Sequence, residues 1–237
     1  MMIRTDPALN RTCPEREVYN ELLQLDGKTI LDLGCGKADV TRAIASEGHD
    51  RQITALEVDE IQHRNHLAMD DLPNVQFIMA GAENIPCAES SFDVAFMFKS
   101  LHHVPLPLMQ RALLELRRVL KPGGYAYISE PVFDGDFNNL LKMFHNEEKV
   151  RLAAFEAVKL TVDLGLLSLE RQYFFNAPMH FDNFADFEQK ILQATHTDHS
   201  LSDTLYEQVK LQFESHMGKH GADFQMPIRI DLLRKDH

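Results

Sequence analysis

Thr29-Ile30-Leu31-Asp32-Leu33-Gly34-Cys35-Gly36-Lys37-Ala38-Asp39 joins a short apolar run to two glycines and then to a polar stretch. Thr29 to Leu33 reads as a strand that Gly34 and Gly36 bring to an end, and Val40 to Ala45 follows as a helix up to Gly48. Glycines placed after a strand let the backbone pass close to a ligand, and the N-terminus of the next helix lies just beyond. Two phosphate-binding readings of this loop fail. A P-loop needs a glycine five residues before Gly36 and Ser or Thr after Lys37, where the chain has Leu31 and Ala38. A dinucleotide fingerprint needs a glycine three residues after Gly36, where Asp39 stands. Asp32 argues the same way: a carboxylate at the strand end repels a pyrophosphate but suits a cationic ligand without phosphate.

Outward from this loop, strand and helix patterns alternate. Ile53 to Val58, Val75 to Met79, Phe92 to Phe98 and Tyr125 to Ser129 read as strands. Glu60 to Met69 and Leu106 to Leu120 read as helices, the second stopped by Lys121-Pro122-Gly123-Gly124. Such alternation with short connections predicts a parallel sheet covered on both faces. Ligands of these sheets sit beyond the carboxyl ends of the strands, which selects the loops at Gly34, Glu57, Gly81 and Lys99. Glu57, 21 residues past Gly36, is placed to accept hydrogen bonds from both hydroxyls of a ribose.

The second half predicts helices over Phe137 to Leu169, Phe184 to Thr195 and Leu201 to His216. Two late strands, Glu170 to Asn176 and Phe224 to Leu233, bring the sheet to about seven, the last one antiparallel. The whole chain of 237 residues is expected to be a single domain. Residues 1–27 form a helical N-terminal segment, 28–130 a cofactor-binding core, and 131–237 the substrate-side helices and last strands.

A net charge of −12 with scattered Lys and Arg argues against a nucleic-acid partner, since phosphate backbones are held by clustered basic residues. No apolar run is long enough for a membrane span, and Met1 to Pro14 lacks the core of a signal peptide. Cys13, Cys35 and Cys87 are odd in number and widely spaced, which fits reduced thiols in a cytoplasm. His196, His199, His216 and His220 show no ligand spacing, so no metal is expected. Core packing is the first expectation for Tyr173, Phe174, Phe175, Phe181, Phe184 and Phe187, with the lining of an acceptor pocket as the second.

Taken together, the landmarks resemble class I methyltransferases dependent on S-adenosylmethionine (SAM), in particular their "type 11" group. Ile30 to Lys37 is similar to their first motif, and Ala55-Leu56-Glu57-Val58-Asp59 to their second-strand acidic motif. Phe77 to Pro86, Ser91 to Ala95, Leu101-His102-His103-Val104 and Arg118 to Gly124 match the later landmarks in order. The resemblance implies a Rossmann-like α/β fold, a helical insertion after the fifth strand and SAM as cofactor. Gly34, Cys35 and Gly36 would flank its methionine part, with Asp32 at the ammonium and Glu57 at the ribose. Ala82 and Glu83 would meet the adenine, Val58 and Ile85 would sandwich it, and Phe98 and Lys99 would approach the methionine. Two departures stand out: Ala38 where the family commonly has glycine, and Gly81 where it commonly has aspartate. The first should cost little. The second leaves Glu83 or a backbone carbonyl to meet the adenine amino group.

Acceptor chemistry is expected at Lys99 to His103, beside the transferred methyl. His103 is a candidate base, Glu130 a candidate base or orienting group, and Lys99 a candidate for a substrate carboxylate. For the adjacent histidines, packing of the strand-to-helix turn is the competing reading. The expected function is methyl transfer to an O, N or C nucleophile of a small molecule, with a protein side chain as a second acceptor class and a homodimer left open. The alternatives are a non-catalytic protein of the same fold and, further off, an NAD-dependent oxidoreductase.

Overall fold

The structure is a computed structural model and describes residues 2–6, 8–193 and 201–236. Strands β1 (Thr29–Leu33), β2 (Gln52–Glu57), β3 (Val75–Met79), β4 (Phe92–Phe98), β5 (Leu120–Pro131), β6 (Ser168–Phe181) and β8 (Gly221–Arg234) form one sheet in the order β3-β2-β1-β4-β5-β8-β6. A two-residue strand β7 (Met217–Gly218) pairs with the start of β8. The pairs among β1 to β5 are parallel, and β8 runs antiparallel to both neighbours. The expected Rossmann-like sheet is therefore present, with β8 as its antiparallel member. The order reverses between β1 and β4, which opens a crevice at their carboxyl ends.

Alternation along the strands assigns the two faces. Leu31 and Leu33 of β1, Ala95 and Met97 of β4, and Ala126 and Ile128 of β5 pack against α4 (Met109–Val119) and α6 (Glu148–Asp163). Ile30, Phe96, Phe98 and Tyr127 point the other way, against α1 (Glu15–Leu22) and α2 (Asp39–Ser46). Asp32 shares the parity of Ile30, so its carboxylate faces α2. A third cluster joins α5 (Asp136–Leu141), α7 (Phe184–Phe187) and α8 (Asp203–Glu214) through Phe137, Phe181, Phe184, Phe187, Phe213 and Phe224. Phe181, Phe184 and Phe187 are thus core, and Phe175 is buried in the α1–α2 face.

Several boundaries differ from the sequence reading. Lys121-Pro122-Gly123-Gly124 does not precede β5 but lies inside it. Phe92 pairs with Leu120 and Val94 with Tyr125, so the four residues loop out opposite Asp93. A Cβ on Gly124 would stand 2.9 Å from the Lys121 carbonyl and 3.0 Å from that of Asp93, and Lys121 closes the bulge on the Asp93 carboxylate at 2.9 Å. Strand β6 runs to Phe181 because a matching length of β8 continues to pair with it. Helix α7 passes into a wider turn over Glu188–Leu192, and the expected helix reaching Thr195 ends outside the described residues, as do His196 and His199. Helix α3 (Glu60–Leu67) opens on Asp59, whose side chain caps the N–H groups of Ile61 and Gln62. Among the described residues no helix is long and apolar enough to cross a membrane.

Candidate functional site

The crevice between β1 and β4 gathers the residues that the sequence pointed to. The backbone turns at Gly34, whose N–H and that of Cys35 both donate to the Leu56 carbonyl, at 2.9 and 3.0 Å. Ser100 closes on the same turn by donating from Oγ to the Leu33 carbonyl at 2.6 Å. Gly34 has φ +74°, and a Cβ there would lie 2.8 Å from Cβ of Ser100. Both the dihedral and the contact demand glycine. Ala38, at the commonly glycine position, is also left-handed, at φ +64°, with its methyl wholly buried. The expected fit is realised in a conformation that L-residues seldom adopt.

Asp32 is only 1% exposed. Its Oδ2 accepts a hydrogen bond from Thr41 Oγ1 at 2.6 Å, while Oδ1 has no hydrogen-bond partner. Burial raises its carboxyl to about 6, the Thr41 bond opposing and the nearby Glu57 charge adding to the shift. An anion held this way lacks a donor or a cation. Glu57 is also buried, at the end of β2. Its Oε2 accepts from the Gly36 N–H at 2.6 Å and its Oε1 from the N–H groups of Val58 and Asp59 at 2.8 and 2.9 Å. Oε1 is thereby filled, while Oε2 keeps lone-pair capacity for a hydroxyl. His66 of α3 donates from Nε2 to the Gly36 carbonyl at 2.7 Å and stacks on Phe77, so the glycine loop is held from both sides. Burial lowers the His66 imidazole below its ordinary range, the Gly36 bond opposing.

On the β3 side, Ala82 is buried and Val58 is 63% exposed, an open apolar face. Ile85 is 3% exposed and belongs to the core, so of the expected sandwich pair Val58 alone offers an accessible surface. Glu83 folds back over Gly81: a Cβ added at Gly81 would meet the Glu83 carboxyl carbon at 2.6 Å. The carboxylate of Glu83 therefore fills the space that a side chain at position 81 would occupy.

At the end of β4, Phe98 turns its ring into the core beside Tyr19, and Lys99 is left-handed at φ +54°. The Lys99 ammonium is not open to a ligand as it stands. It pairs with Glu15 of α1 at 2.7 Å, and Tyr127 donates to the other oxygen of Glu15 at 3.4 Å. Glu130 likewise turns away from the crevice. It is 1% exposed, accepts from the Leu101 N–H at 3.0 Å and bonds to Nδ1 of His102. It acts on His102 and does not reach an acceptor directly. Across from it Glu147 lies 3.5 Å from Nε2 of His102 and is clasped by Arg151 at 2.6 Å. Burial pushes the His102 imidazole down, but Glu130 and Glu147 outweigh it and raise the group to about 9. Burial pushes both carboxyls up, yet His102 holds them below their ordinary range, with Arg151 helping at Glu147. His103 is exposed beside this buried pair, its ring centroid 4.1 Å from that of His102.

Sequence reasoning missed Thr41, His66, Ser100, Glu15 and Glu147. Thr41 carried a signal, since it shares a buried helical face with Ile44 three residues on. Glu15 and Glu147 carried none, because each arrives from a distant part of the chain.

The fold order, the glycine turn and the orphaned Asp32 oxygen decide the fold. The chain has the fold of class I SAM-dependent methyltransferases. A family model described as "Methyltransferase domain" matches residues 30–124 of it. An O-methyltransferase of Pyrenophora dematioidea is 34% identical over 122 residues, covering 50% of this chain and 45% of that protein. The chain spans about half the length of the curated relatives it matches. Among solved structures the same methyltransferase fold occurs in the YcgJ protein of Bacillus subtilis, with TM-score 0.63, 14% identity and coverage of 94% of this chain and 97% of that one. It also occurs in the 4+2 cyclase SpnF, with TM-score 0.60, 20% identity and coverage of 93% and 79%.

The residues fit the cofactor of this methyltransferase fold. A buried anion with an unpartnered oxygen, Asp32 Oδ1, would suit an ammonium. The turn at Gly34 leaves no room for a side chain, and Glu57 and Glu83 present acceptors beyond β2 and β3.

Proposed function

We propose that this chain transfers the methyl group of SAM to an oxygen atom of a small-molecule acceptor. The observation that carries the SAM part is the unpartnered Oδ1 of buried Asp32 at the glycine turn. The oxygen acceptor is supported by the fungal relatives, O-methyltransferases that match about half of this chain. The fold alone does not decide the activity, since a cyclase shares it.

When bound, SAM supplies an electrophilic methyl on a sulfonium. Asp32 would receive the ammonium of its methionine part, Glu57 would accept from the ribose at Oε2, and Glu83 would accept from the adenine amino group. Leu101 to His103, held down by Glu130, forms the wall beside the methyl. Transfer to oxygen would leave the cofactor as a thioether, the electron pair of the broken carbon–sulfur bond remaining on sulfur. The proton of the acceptor hydroxyl leaves through the exposed His103. Aligning the reactants and excluding water achieve much of such an in-line displacement.

The test is incubation of the purified chain with methyl-labelled SAM and a panel of phenols, carboxylic acids and amines. Label on an oxygen of one acceptor class, reduced in His103→Ala more than SAM affinity is, supports the proposal. Transfer to nitrogen only, or label on no acceptor despite SAM binding, sinks it.

A further inference from the structure

We infer that His102, His103 and Glu147 form a site for one divalent cation of the zinc class. One ligand atom from each of the three comes within 4.8 Å of the other two. Nε2 of His102 and Oε1 of Glu147 stand 3.5 Å apart. Two atoms each about 2.0–2.1 Å from a tetrahedral zinc ion are separated by about 3.3 Å, so this pair needs almost no adjustment to share an ion.

The surroundings are those of a built metal site. Glu130 bonds to Nδ1 of His102, which fixes the ring and aims Nε2 at Glu147. A carboxylate behind a ligating histidine is the usual support for such a ligand. Arg151 occupies Oε2 of Glu147 and leaves Oε1 facing His102. His145, on the partly exposed side of the cluster, bonds to the same Oε1 with Nε2 at 3.1 Å and must yield that lone pair or share the oxygen when an ion binds. The buried carboxylates of Glu130, Glu147 and Asp231 face the guanidiniums of Arg151 and Arg229 and the His102 imidazolium, so an ion at Nε2 takes the place of the His102 proton and its positive charge. Two imidazoles and a carboxylate are donors suited to zinc and poorly suited to magnesium or calcium.

Three protein ligands leave a fourth position open toward solvent at exposed His103. An acceptor hydroxyl in that position would be acidified by the cation and give its proton to the solvent on this open side, with His103 acting as a ligand in place of the direct base. That consequence rests on the oxygen-methylation reading; the site itself does not.

The test is equilibrium dialysis of the full chain, stripped with EDTA, against zinc ions alone, paired with melting temperature. The wild type should retain one zinc per chain at micromolar free zinc and melt higher with it. His103→Ala and Glu147→Gln should each weaken retention at least tenfold, while His216→Ala, in the turn between α8 and β7, should not. His102→Ala is avoided because its ring is buried and its loss endangers folding. Retention below one zinc per chain, or retention equal in wild type and both site variants, overturns the site. Because the readout is metal content, it can fail while SAM binding and methyl transfer stand, and the reverse.

Discussion

Thr41 Oγ1 donates a 2.6 Å hydrogen bond to Oδ2 of Asp32, while Oδ1 of the same buried carboxylate has no partner. The protein thus holds a half-satisfied anion in its core, a costly arrangement unless a ligand completes it. Because the Asp32 carboxyl is raised to about 6 from its ordinary 3.8, its charge is present only above that pH. SAM affinity should therefore be level above pH 7 and fall as pH drops through 6. Calorimetry from pH 5 to 8 checks this, and a flat profile would separate Asp32 from the ammonium.

The same shift carries a signed consequence for the ligand-free protein. A carboxyl raised on folding binds its proton more tightly in the native state, so stability declines as pH rises from about 3.8 to 6. Two units correspond to roughly 3 kcal/mol. Asp32→Asn keeps an acceptor for Thr41 and removes the buried charge. It should be no less stable than the wild type at pH 8 while losing about 1–3 kcal/mol of SAM binding. Chemical denaturation with and without SAM separates the two effects.

Gly34→Ala places a methyl 2.8 Å from Cβ of Ser100 at a φ of +74°. The dihedral alone costs about 1–2 kcal/mol. The melting temperature should fall, and adding Ser100→Gly should recover only part of the loss, because the dihedral strain remains. Full recovery would mean that contact, not backbone conformation, requires the glycine.

Glu83 lying over Gly81 predicts a swap. Glu83→Ala should weaken S-adenosylhomocysteine by about 1–3 kcal/mol, the scale for a hydrogen bond to a charged group. The inosine analogue, which lacks the amino group, should be unaffected. Adding Gly81→Asp should restore the loss. Equal affinity of Glu83→Ala and wild type for S-adenosylhomocysteine would leave the adenine to backbone groups.

His102 raised to about 9 also has a signed effect. A histidine whose folded value exceeds its ordinary 6.5 contributes its full stability below 6.5 and loses it as pH rises through 9. Up to about 3 kcal/mol is at stake for the ion pairs with Glu130 and Glu147. In metal-free protein, urea denaturation from pH 6 to 9.5 should show this decline, and His102→Gln should flatten it. A decline of equal size in the variant would place its source elsewhere.

The sheet was legible because local chemistry and global architecture agree. Leu31 and Leu33 alternate with Ile30 and Asp32, and Gly34 ends the strand where the crossover begins. The grouping of Asp32, Gly34, Gly36 and Glu57 was legible for the same reason: they lie on neighbouring strand ends, where period and spacing map directly onto space. The acceptor side was not. Lys99 was read as an open group because its partner, Glu15, comes from a segment whose approach no local pattern encodes, and Glu130 because its bond to His102, 28 residues away, carries no local signal either. The Lys121-Pro122-Gly123-Gly124 stretch was read as a helix stop, whereas its glycine packs a bulge within β5. Breaker residues mark a change of direction without saying whether a strand continues through it.

The central claim is that the crevice at Asp32, Gly34 and Glu57 holds SAM. Isothermal titration of the purified chain with SAM and with S-adenosylhomocysteine tests it most directly. The account predicts that both bind with dissociation constants on the order of micromolar, about −8 kcal/mol. It predicts also that Glu57→Ala weakens both by about 1–3 kcal/mol. Binding of neither ligand, or binding indifferent to Glu57, would contradict it.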